Sequence, residues 1–248
     1  MDNIQLNNAN IKNLTQLWKI MGTQSIPLRS ARTTQMSISW PYRYWFESTP
    51  VIADLTYSVN QVMDNYLIPV WEEPNALGFN LETVLITNGF KIMLEQTAMY
   101  LDLKTFQEKT LSNLKLLAVS SGQDIKTWTD IAEQSFMYEI DQSVIENIAI
   151  NPDIKLLTAY LNDVPVATAL LFTTDNIVGI HQVGVLAQYR GQGIARKLIQ
   201  DVIKLCNEAP NRYITLQASS AGESLYKSLG FKEQFKIRSF QRINKTIS

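Results

Sequence analysis

A loop between a predicted strand and a predicted amphipathic helix constrains this chain more than any other segment. The loop runs from Gln188 to Ala195 and carries glycine at positions 191 and 193. After it, apolar residues recur every three to four positions, the spacing of a helix with one buried face. That face consists of Ile194, Leu198, Ile199, Val202, Ile203, Leu205 and Cys206. A strand that enters a glycine loop and continues into a helix is an arrangement that binds phosphate groups.

The start of this helix is predicted to bind an anion. The first N–H groups of a helix have no internal partner and lie at the positive end of the helix dipole. Gly191 and Gly193 remove the Cβ atoms that would block approach and permit positive φ, and Arg190 adds a charged donor. The predicted guest is a diphosphate. The alternative is a strand-to-helix turn that needs glycine for its geometry alone.

Two common phosphate loops do not match this segment. A P-loop needs Lys followed by Ser or Thr after its last glycine, whereas Ile194 and Ala195 follow here. In a Rossmann loop the third glycine would fall at Arg196, and no acidic residue lies at the expected distance on a following strand.

Composition excludes several kinds of partner. The chain has 248 residues, enough for one large domain or two of ordinary size, and a net charge of −1. Bulk attraction to nucleic acid or to an acidic membrane is therefore not expected, and anion binding must be local. One histidine and one cysteine cannot form a zinc cluster, so no metal is predicted. The polar start of the sequence and the short apolar runs favour a cytoplasmic location.

The rear half shows a clear order of elements. The patterns predict a strand, two helices, three antiparallel strands, the glycine loop with its helix, and then a strand, a helix and a last strand. The predicted ranges are 114–119, 122–136, 143–150, 155–161, 164–173, 177–186, 194–207, 213–217, 221–229 and 235–243. This is a mixed α+β sheet flanked by helices.

This order resembles the GNAT superfamily of acetyl-CoA-dependent N-acetyltransferases over residues 113–248. In that family the coenzyme loop reads Gln/Arg-x-x-Gly-x-Gly/Ala, and a later helix reads Leu-Tyr-x-x-x-Gly-Phe. The chain has the first motif at 188–193 and the second at 225–231. The resemblance implies a mainly antiparallel sheet, an acetyltransferase activity, acetyl-CoA as cosubstrate and an amine acceptor.

The front half contains a weak internal repeat of the second motif. Residues 82–91 align with residues 223–232, so that glutamate, Gly-Phe and lysine coincide at one constant offset. A strand-like run follows in both halves, at 96–103 and 235–243. We therefore predict two tandem copies: residues 1–103 as a degenerate GNAT-like or accessory domain and 113–248 as the coenzyme-binding domain, with a linker near 104–112. The front copy lacks the glycine loop, and Leu85 aligns with Tyr226. Coincidence around a common Gly-Phe helix end remains the alternative.

The resemblance assigns roles to residues around the loop. The pantetheine arm is expected to pair with the main chain of the preceding strand, and an N–H near Val183 is expected to polarise the thioester carbonyl. Gly184 fits close backbone approach or a bulge, although packing alone also explains a strand glycine. The predicted coenzyme-binding residues are Val183, Gly184, Val185, Gln188, Arg190, Gly191, Gln192, Gly193, Ile194, Ala195, Arg196, Ser219 and Tyr226.

Two residues are candidates for the chemistry. Tyr226 matches the family tyrosine near the coenzyme sulfur, where a phenol can donate a proton to the departing thiolate. His181 is a candidate for contact with substrate or proton, although a half-buried strand histidine is more often structural. Water or a carboxylate such as Glu133 or Glu139 competes as the base. Ser219 stands where many relatives have an asparagine that binds the pantetheine arm, and it is equally a candidate cap for the following helix.

The segment Trp40 to Phe46 is aromatic and suits a strand. Core packing is the first expectation for these rings, and closure of the substrate pocket by the front half is a second hypothesis. The function predicted for the whole chain is transfer of an acetyl group to a primary amine in a ternary complex. A coenzyme-sensing or partner-binding module without catalysis is the alternative, and an acyltransferase for longer chains is a third possibility.

Overall fold

The structure, a computed structural model, describes residues 1–28, 33–47, 51–71, 81–106, 114–208 and 211–243. The helices are α1 (Asn3–Ile20), α2 (Ile52–Gln61), α3 (Leu81–Thr87), α4 (Gly122–Phe136), α5 (Gln142–Ala149), α6 (Ile194–Asn207) and α7 (Ser220–Ser228). The strands are β1 (Thr23–Pro27), β2 (Thr33–Ser37), β3 (Tyr44–Phe46), β4 (Ile68–Trp71), β5 (Phe90–Asp102), β6 (Lys115–Ala118), β7 (Ile154–Leu161), β8 (Val164–Thr174), β9 (Ile177–Val185), β10 (Tyr213–Ser219) and β11 (Lys232–Arg242). Short 3₁₀ turns occur at Leu103–Thr105 and Ala187–Tyr189.

Most of the chain is organised around one eight-stranded sheet in the order β4-β11-β5-β10-β9-β8-β7-β6. Its pairs are antiparallel except β9 with β10, which are parallel. The strands β1, β2 and β3 form a separate small antiparallel sheet. The predicted mixed α+β fold with a mainly antiparallel sheet is confirmed, and every predicted element of the rear half is present.

The front half contributes a strand to the middle of the rear sheet. β5 lies between β10 and β11, pairing antiparallel with both. β4, also from the front half, pairs with β11 at the edge of the sheet. The predicted division into residues 1–103 and 113–248 stays a prediction, and most of the predicted linker, residues 107–112, lies outside the described residues. The two halves nevertheless share one sheet and are not independent in structure.

The pairing of β5 with β11 is symmetric about its own centre. Lys232 pairs with Tyr100, and their equivalents in the other half, Lys91 and Gln241, pair with each other. At the centre, Gln96 pairs with its own equivalent, Ile237. The register skips one residue in each strand, Met93 and Gln234, and these two are also equivalent. A local two-fold relation therefore connects α3 and β5 to α7 and β11.

Contacts of the two repeated helices follow the same symmetry. Arg238 Nη1 in β11 donates to Glu82 Oε1 in α3 at 2.8 Å. At the equivalent positions, Thr97 Oγ1 in β5 donates to Glu223 Oε2 in α7 at 2.6 Å. Each helix thus contacts the strand of the opposite half. The internal repeat that the sequence predicted is present in this part of the structure.

The helices cover both faces of the sheet. The apolar cluster on one face includes α6 and α7, and the cluster on the other face includes α1, α4 and α5. The buried residues of α6 are those of the predicted stripe except Leu205, which is partly buried. Cys206 is among them, and burial raises the pKa of its thiol to about 12. It is therefore a structural thiol.

The aromatic segment of the front half is part of the protein core. Trp40 and Trp45 belong to the cluster with α1, α4 and α5, where the Trp45 ring packs edge-on against Trp18 at a centroid distance of 5.3 Å. Tyr44 and Phe46 belong to a third cluster with α2, α3 and β4. Core packing, the first expectation for this segment, is confirmed for these four rings, whereas Tyr42 is 38% exposed.

Candidate functional site

The parallel strands β9 and β10 separate at one end of the sheet. They pair from Ile177 with Tyr213 to Ile180 with Leu216. β9 then continues to Val185, still paired with β8, whereas β10 ends at Ser219 beside β5. A gap therefore opens between the last residues of β9 and β10, in the middle of the sheet.

The backbone groups of Val183 and Val185 face this gap. Leu186 N–H donates to Val166 O in β8 at 3.0 Å. Because the hydrogen-bonding groups of a strand alternate between its two sides, the residues at odd positions before Leu186 point away from β8. Their side chains pack against the cluster that includes α6 and α7. The N–H and C=O of Val183 and the N–H of Val185 are therefore directed to the gap, while Val185 O accepts from Arg190 Nε.

A bulge precedes this segment of β9. The register with β8 shifts between Thr168 and Leu170, and Gln182 has a φ of 48°. A Cβ on Gly184 would lie 2.8 Å from Ser135 Cβ of α4 and 3.2 Å from Thr168 Oγ1. The bulge lies at Gln182, two residues before Gly184, and Gly184 itself pairs with Thr168. This glycine is explained by close packing of α4 on the strand, the alternative that the sequence left open. Gly184 therefore allows α4 to lie close to β9 beside the gap.

The glycine loop has the geometry expected of an anion site. Gly191 and Gly193 both have a φ of 75°, and a Cβ on either would meet no atom within 4 Å. Gly193 is the N-cap of α6 and no side chain caps this helix. The first intrahelical bond runs from Lys197 N–H to Gly193 O at 3.1 Å. The N–H groups of Ile194, Ala195 and Arg196 therefore have no acceptor within the helix.

Arg190 is held by main-chain oxygens. Its Nε donates to Val185 O at 3.0 Å, and its Nη2 donates to Ser135 O at 2.6 Å. The side chain thus ties the loop to β9 and to the last turn of α4. The sequence assigned it to the anion itself, and that role stays a prediction. Within the same loop, Gln192 Nε2 donates to Gln188 O at 3.0 Å.

Tyr226 lies in the same apolar cluster as Ile194, at the start of α6. Its side chain is 8% exposed, and burial raises the pKa of the phenol to about 12. The ring packs edge-on against Phe231 at 5.6 Å, and a Cβ on Gly222 would lie 3.1 Å from its Cε2. The phenol therefore stays protonated at neutral pH and is fixed in position.

Ser219 and Arg196 border the site at α7. Ser219 is the N-cap residue of α7, but its exposed side chain makes no capping hydrogen bond. Of the two roles that the sequence left open for it, capping of α7 is not made, and contact with the coenzyme stays a prediction. Arg196 Nη2 donates to Ser228 Oγ at 2.8 Å, which joins α6 to α7.

His181 is buried beneath α1. The residue is 8% exposed, and its Nε2 lies 3.0 Å from Asn13 Oδ1. Burial lowers the pKa of the imidazole to about 4, so the ring is neutral at physiological pH. This environment supports the structural role that the sequence favoured.

The two carboxylates named as competing bases lie at the turn between α4 and α5. Glu133 Oε1 accepts a hydrogen bond from Ile140 N–H at 2.8 Å, which closes that turn. Glu139 is exposed.

Two other classes of feature are absent from the part of the chain that the structure describes. Within those residues no three or more His, Cys, Asp or Glu side chains form a group able to hold a metal ion. No helix among them is long and apolar enough to cross a membrane.

Comparison with solved structures supports the fold. A GCN5-related N-acetyltransferase from Kribbella flavida is similar over 98% of this chain and 96% of its own, with a TM-score of 0.69 and 16% identity. A conserved protein of unknown function from Staphylococcus epidermidis ATCC 12228 is similar over 90% of this chain and 95% of its own, with a TM-score of 0.62 and 18% identity. A tandem GNAT protein from the clavulanic acid biosynthesis pathway is similar over 84% of this chain and 77% of its own, with a TM-score of 0.57 and 10% identity.

Comparison with protein families identifies the family of the rear half. Residues 116–246 match the acetyltransferase (GNAT) domain. The match covers the glycine loop, the gap between β9 and β10, and Tyr226. The chain belongs to the GNAT acetyltransferase family.

Proposed function

We propose that this protein is a cytoplasmic N-acetyltransferase that moves an acetyl group from acetyl-CoA to a primary amine by direct transfer in a ternary complex. The observation that carries the proposal is the gap between β9 and β10. The side chains of Val183 and Val185, which border this gap, pack against the apolar cluster that contains Tyr226 and Ile194. Ile194 is the first residue of α6, whose start has no side-chain cap.

The residues around the gap fit coenzyme A. The diphosphate would be held by the N–H groups of Ile194, Ala195 and Arg196. It could approach closely, since no atom lies within 4 Å of the position that a Cβ on Gly191 or Gly193 would take. The pantetheine arm would pair with the backbone of Val183 and Val185 in the gap. The hydroxyl of Ser219 would donate to the pantetheine arm from the opposite side. The bound coenzyme supplies the acetyl thioester.

The remaining coenzyme-loop residues are proposed to shape the site. Gln192 bonds to the backbone of Gln188, and Arg190 bonds to β9 and α4. These bonds hold the glycines in the conformation that leaves the helix start open. Gly184 contributes by allowing α4 to pack closely behind the gap.

The proposed chemistry uses one backbone group and one side chain. The N–H of Val183 would stabilise negative charge on a carbonyl oxygen in the gap. Tyr226 holds its proton at Oη at neutral pH, as any tyrosine would, and burial raises the pKa of the phenol further, to about 12. The phenol can therefore donate a hydrogen bond to a departing sulfur. The acceptor amine loses its proton to water or to an exposed carboxylate such as Glu139. His181 takes no part in this scheme, since its ring is enclosed beneath α1.

Titration calorimetry with acetyl-CoA, followed by an acetyl-transfer assay on a panel of primary amines, tests the proposal. Tyr226→Phe should retain coenzyme affinity and lower kcat by about 100-fold, because it removes one proton donor. Tyr160→Phe in β7 is the matched control and should change neither. A protein that does not bind acetyl-CoA contradicts the proposal. Binding without transfer to any amine would favour the coenzyme-sensing module instead.

A further inference from the structure

Arg43, in the front half, places a positive charge beside Trp18, on the face of the sheet that α1, α4 and α5 cover. Its Cζ lies 5.7 Å from the ring centroid of Trp18 in α1, and its Nη1 donates to Pro41 O at 2.9 Å. The backbone is also fixed, because Arg43 N–H donates to Ser37 Oγ at 3.1 Å and Arg43 O accepts from Ser37 N–H at 2.8 Å. The guanidinium is therefore positioned by β2 and α1 and does not move freely on the surface.

No carboxylate pairs with this guanidinium among the residues that the structure describes. Arg212 and Arg238, in contrast, form ion pairs with Asp102, Glu82 and Glu95. Burial lowers the pKa of Arg43 to about 10, which leaves it charged at neutral pH. A cation withdrawn from water without an anion is unfavourable, so this position is suited to an anionic ligand.

The neighbours of Arg43 lead toward the gap. The positive charge of Arg43 acts on the phenol of Tyr138, in the turn between α4 and α5, and opposes the rise in its pKa that burial causes. Tyr138 Oη lies within hydrogen-bond distance, 3.4 Å, of Gln182 Oε1. Gln182 forms the bulge of β9 and precedes Val183, whose backbone faces the gap. These polar groups lie on the side covered by α4, opposite α6 and α7.

We propose that Arg43 binds a carboxylate of the acceptor, so that the amines acetylated by this protein are those that also carry a carboxylate group. The proposal rests on the proposed acetyltransferase function and names its substrate class. A planar guanidinium can donate two parallel hydrogen bonds to a carboxylate and matches its single charge. With the carboxylate on Arg43, the amine of the same molecule is directed past Tyr138 and Gln182 toward Val183. The front half then supplies acceptor recognition although it lacks a coenzyme loop.

Matched amine pairs test the inference. The probes are the standard L-amino acids, β-alanine and γ-aminobutyrate, each compared with the amine that lacks its carboxylate. The intact protein should acetylate members of the carboxylate-bearing set with the higher kcat/KM. Arg43→Gln should raise KM for these acceptors roughly 10- to 100-fold, because a hydrogen bond to a charged group is lost. The variant should leave KM for acetyl-CoA unchanged, and Arg43→Lys should restore part of the affinity.

Arg238→Gln is the control, since it removes a guanidinium that already has carboxylate partners. Equal or better use of carboxylate-free amines by the intact protein overturns the inference, as does an Arg43→Gln effect of the same size on both sets. If Arg43→Gln does not fold, the inference is tested by the preference of the intact protein for carboxylate-bearing amines and by the weakening of that preference in Arg43→Lys.

If acetyl-CoA binds but no amine is acetylated, the proposed function fails separately. Thermal-shift measurements with the amino acids then decide: stabilisation that Arg43→Lys weakens supports the carboxylate site, and its absence overturns it.

Discussion

Acidification below neutral pH should destabilise the protein through its single histidine. His181 is neutral in the folded protein because burial beneath α1 lowers the pKa of its imidazole from 6.5 to about 4. In the unfolded chain the ring takes up a proton near pH 6.5. The unfolded state therefore binds more protons in this interval, so the free energy of unfolding falls as the pH falls. Above about pH 7 the ring is neutral in both states and contributes no pH dependence.

The size of this effect follows from the two pKa values. Each pH unit between them costs about 1.4 kcal/mol, so the free energy of unfolding should fall by about 2 to 3 kcal/mol between about pH 7.5 and about pH 4.5. Carboxylates with lowered pKa, such as Asp124 and Asp141, lose their contribution mainly at still lower pH. The chain has one histidine, so no other imidazole adds to the slope.

Urea unfolding followed by tryptophan fluorescence at several pH values measures the effect. His181→Gln is the comparison, because glutamine still offers a donor to Asn13 but does not titrate. The intact protein should lose about 2 to 3 kcal/mol over the interval, and the variant should lose much less, since only carboxylates such as Glu47 and Glu223 still contribute. Equal slopes for the two proteins would refute the assigned burial of His181.

The remaining predictions concern the loop and the strand behind it. Gly193→Ala should lower the free energy of unfolding by about 1 to 2 kcal/mol through its positive φ, and acetyl-CoA affinity by roughly tenfold or more. Calorimetry should find that Gly89→Ala, with a φ of 82° and equally open space, leaves that affinity unchanged. Gly184→Ala should cost about 1 to 3 kcal/mol in urea unfolding by pressing on α4, whereas Gly122→Ala, which meets no neighbour, should cost less than about 0.5 kcal/mol. Arg190→Gln should lower the thermal midpoint, because the loop and α4 lose a common anchor, and an unchanged midpoint would contradict this.

The parts of the site that depend on local patterns were predictable from the sequence. The positive φ of Gly191 and Gly193 follows from their place before a helix with one apolar face, and the structure has both. The purpose of Gly184 was less accessible, because the atom that excludes a Cβ there belongs to Ser135 in a distant helix. Likewise, nothing local indicates that Arg190 bonds to α4. Contacts of this kind depend on packing between segments that are far apart in sequence.

The largest omission from the sequence-based prediction was α1. Its start carries a recognisable signal, the capping box of Asp2 and Gln5. Its buried face, however, includes Asn10 and Asn13, which interrupt the apolar periodicity. Both asparagines bond to the sheet, Asn10 to Gln234 at 2.6 Å and Asn13 to Phe172 O at 2.9 Å. A helix that faces the sheet with polar side chains is not recognised by a search for an apolar stripe.

The placement of β5 between β10 and β11 makes the two halves of the chain depend on each other for one sheet. Two separate chains exchanging such strands would form a dimer, whose stability depends on concentration. Joined in one polypeptide, the exchange becomes intramolecular and holds at any dilution. The front half then contributes β5 to the shared sheet whether or not it takes part in catalysis. Leu85 aligns with Tyr226 and residues 1–103 contain no Arg-Gly-x-Gly loop, yet β5 and β11 pair in a symmetric register.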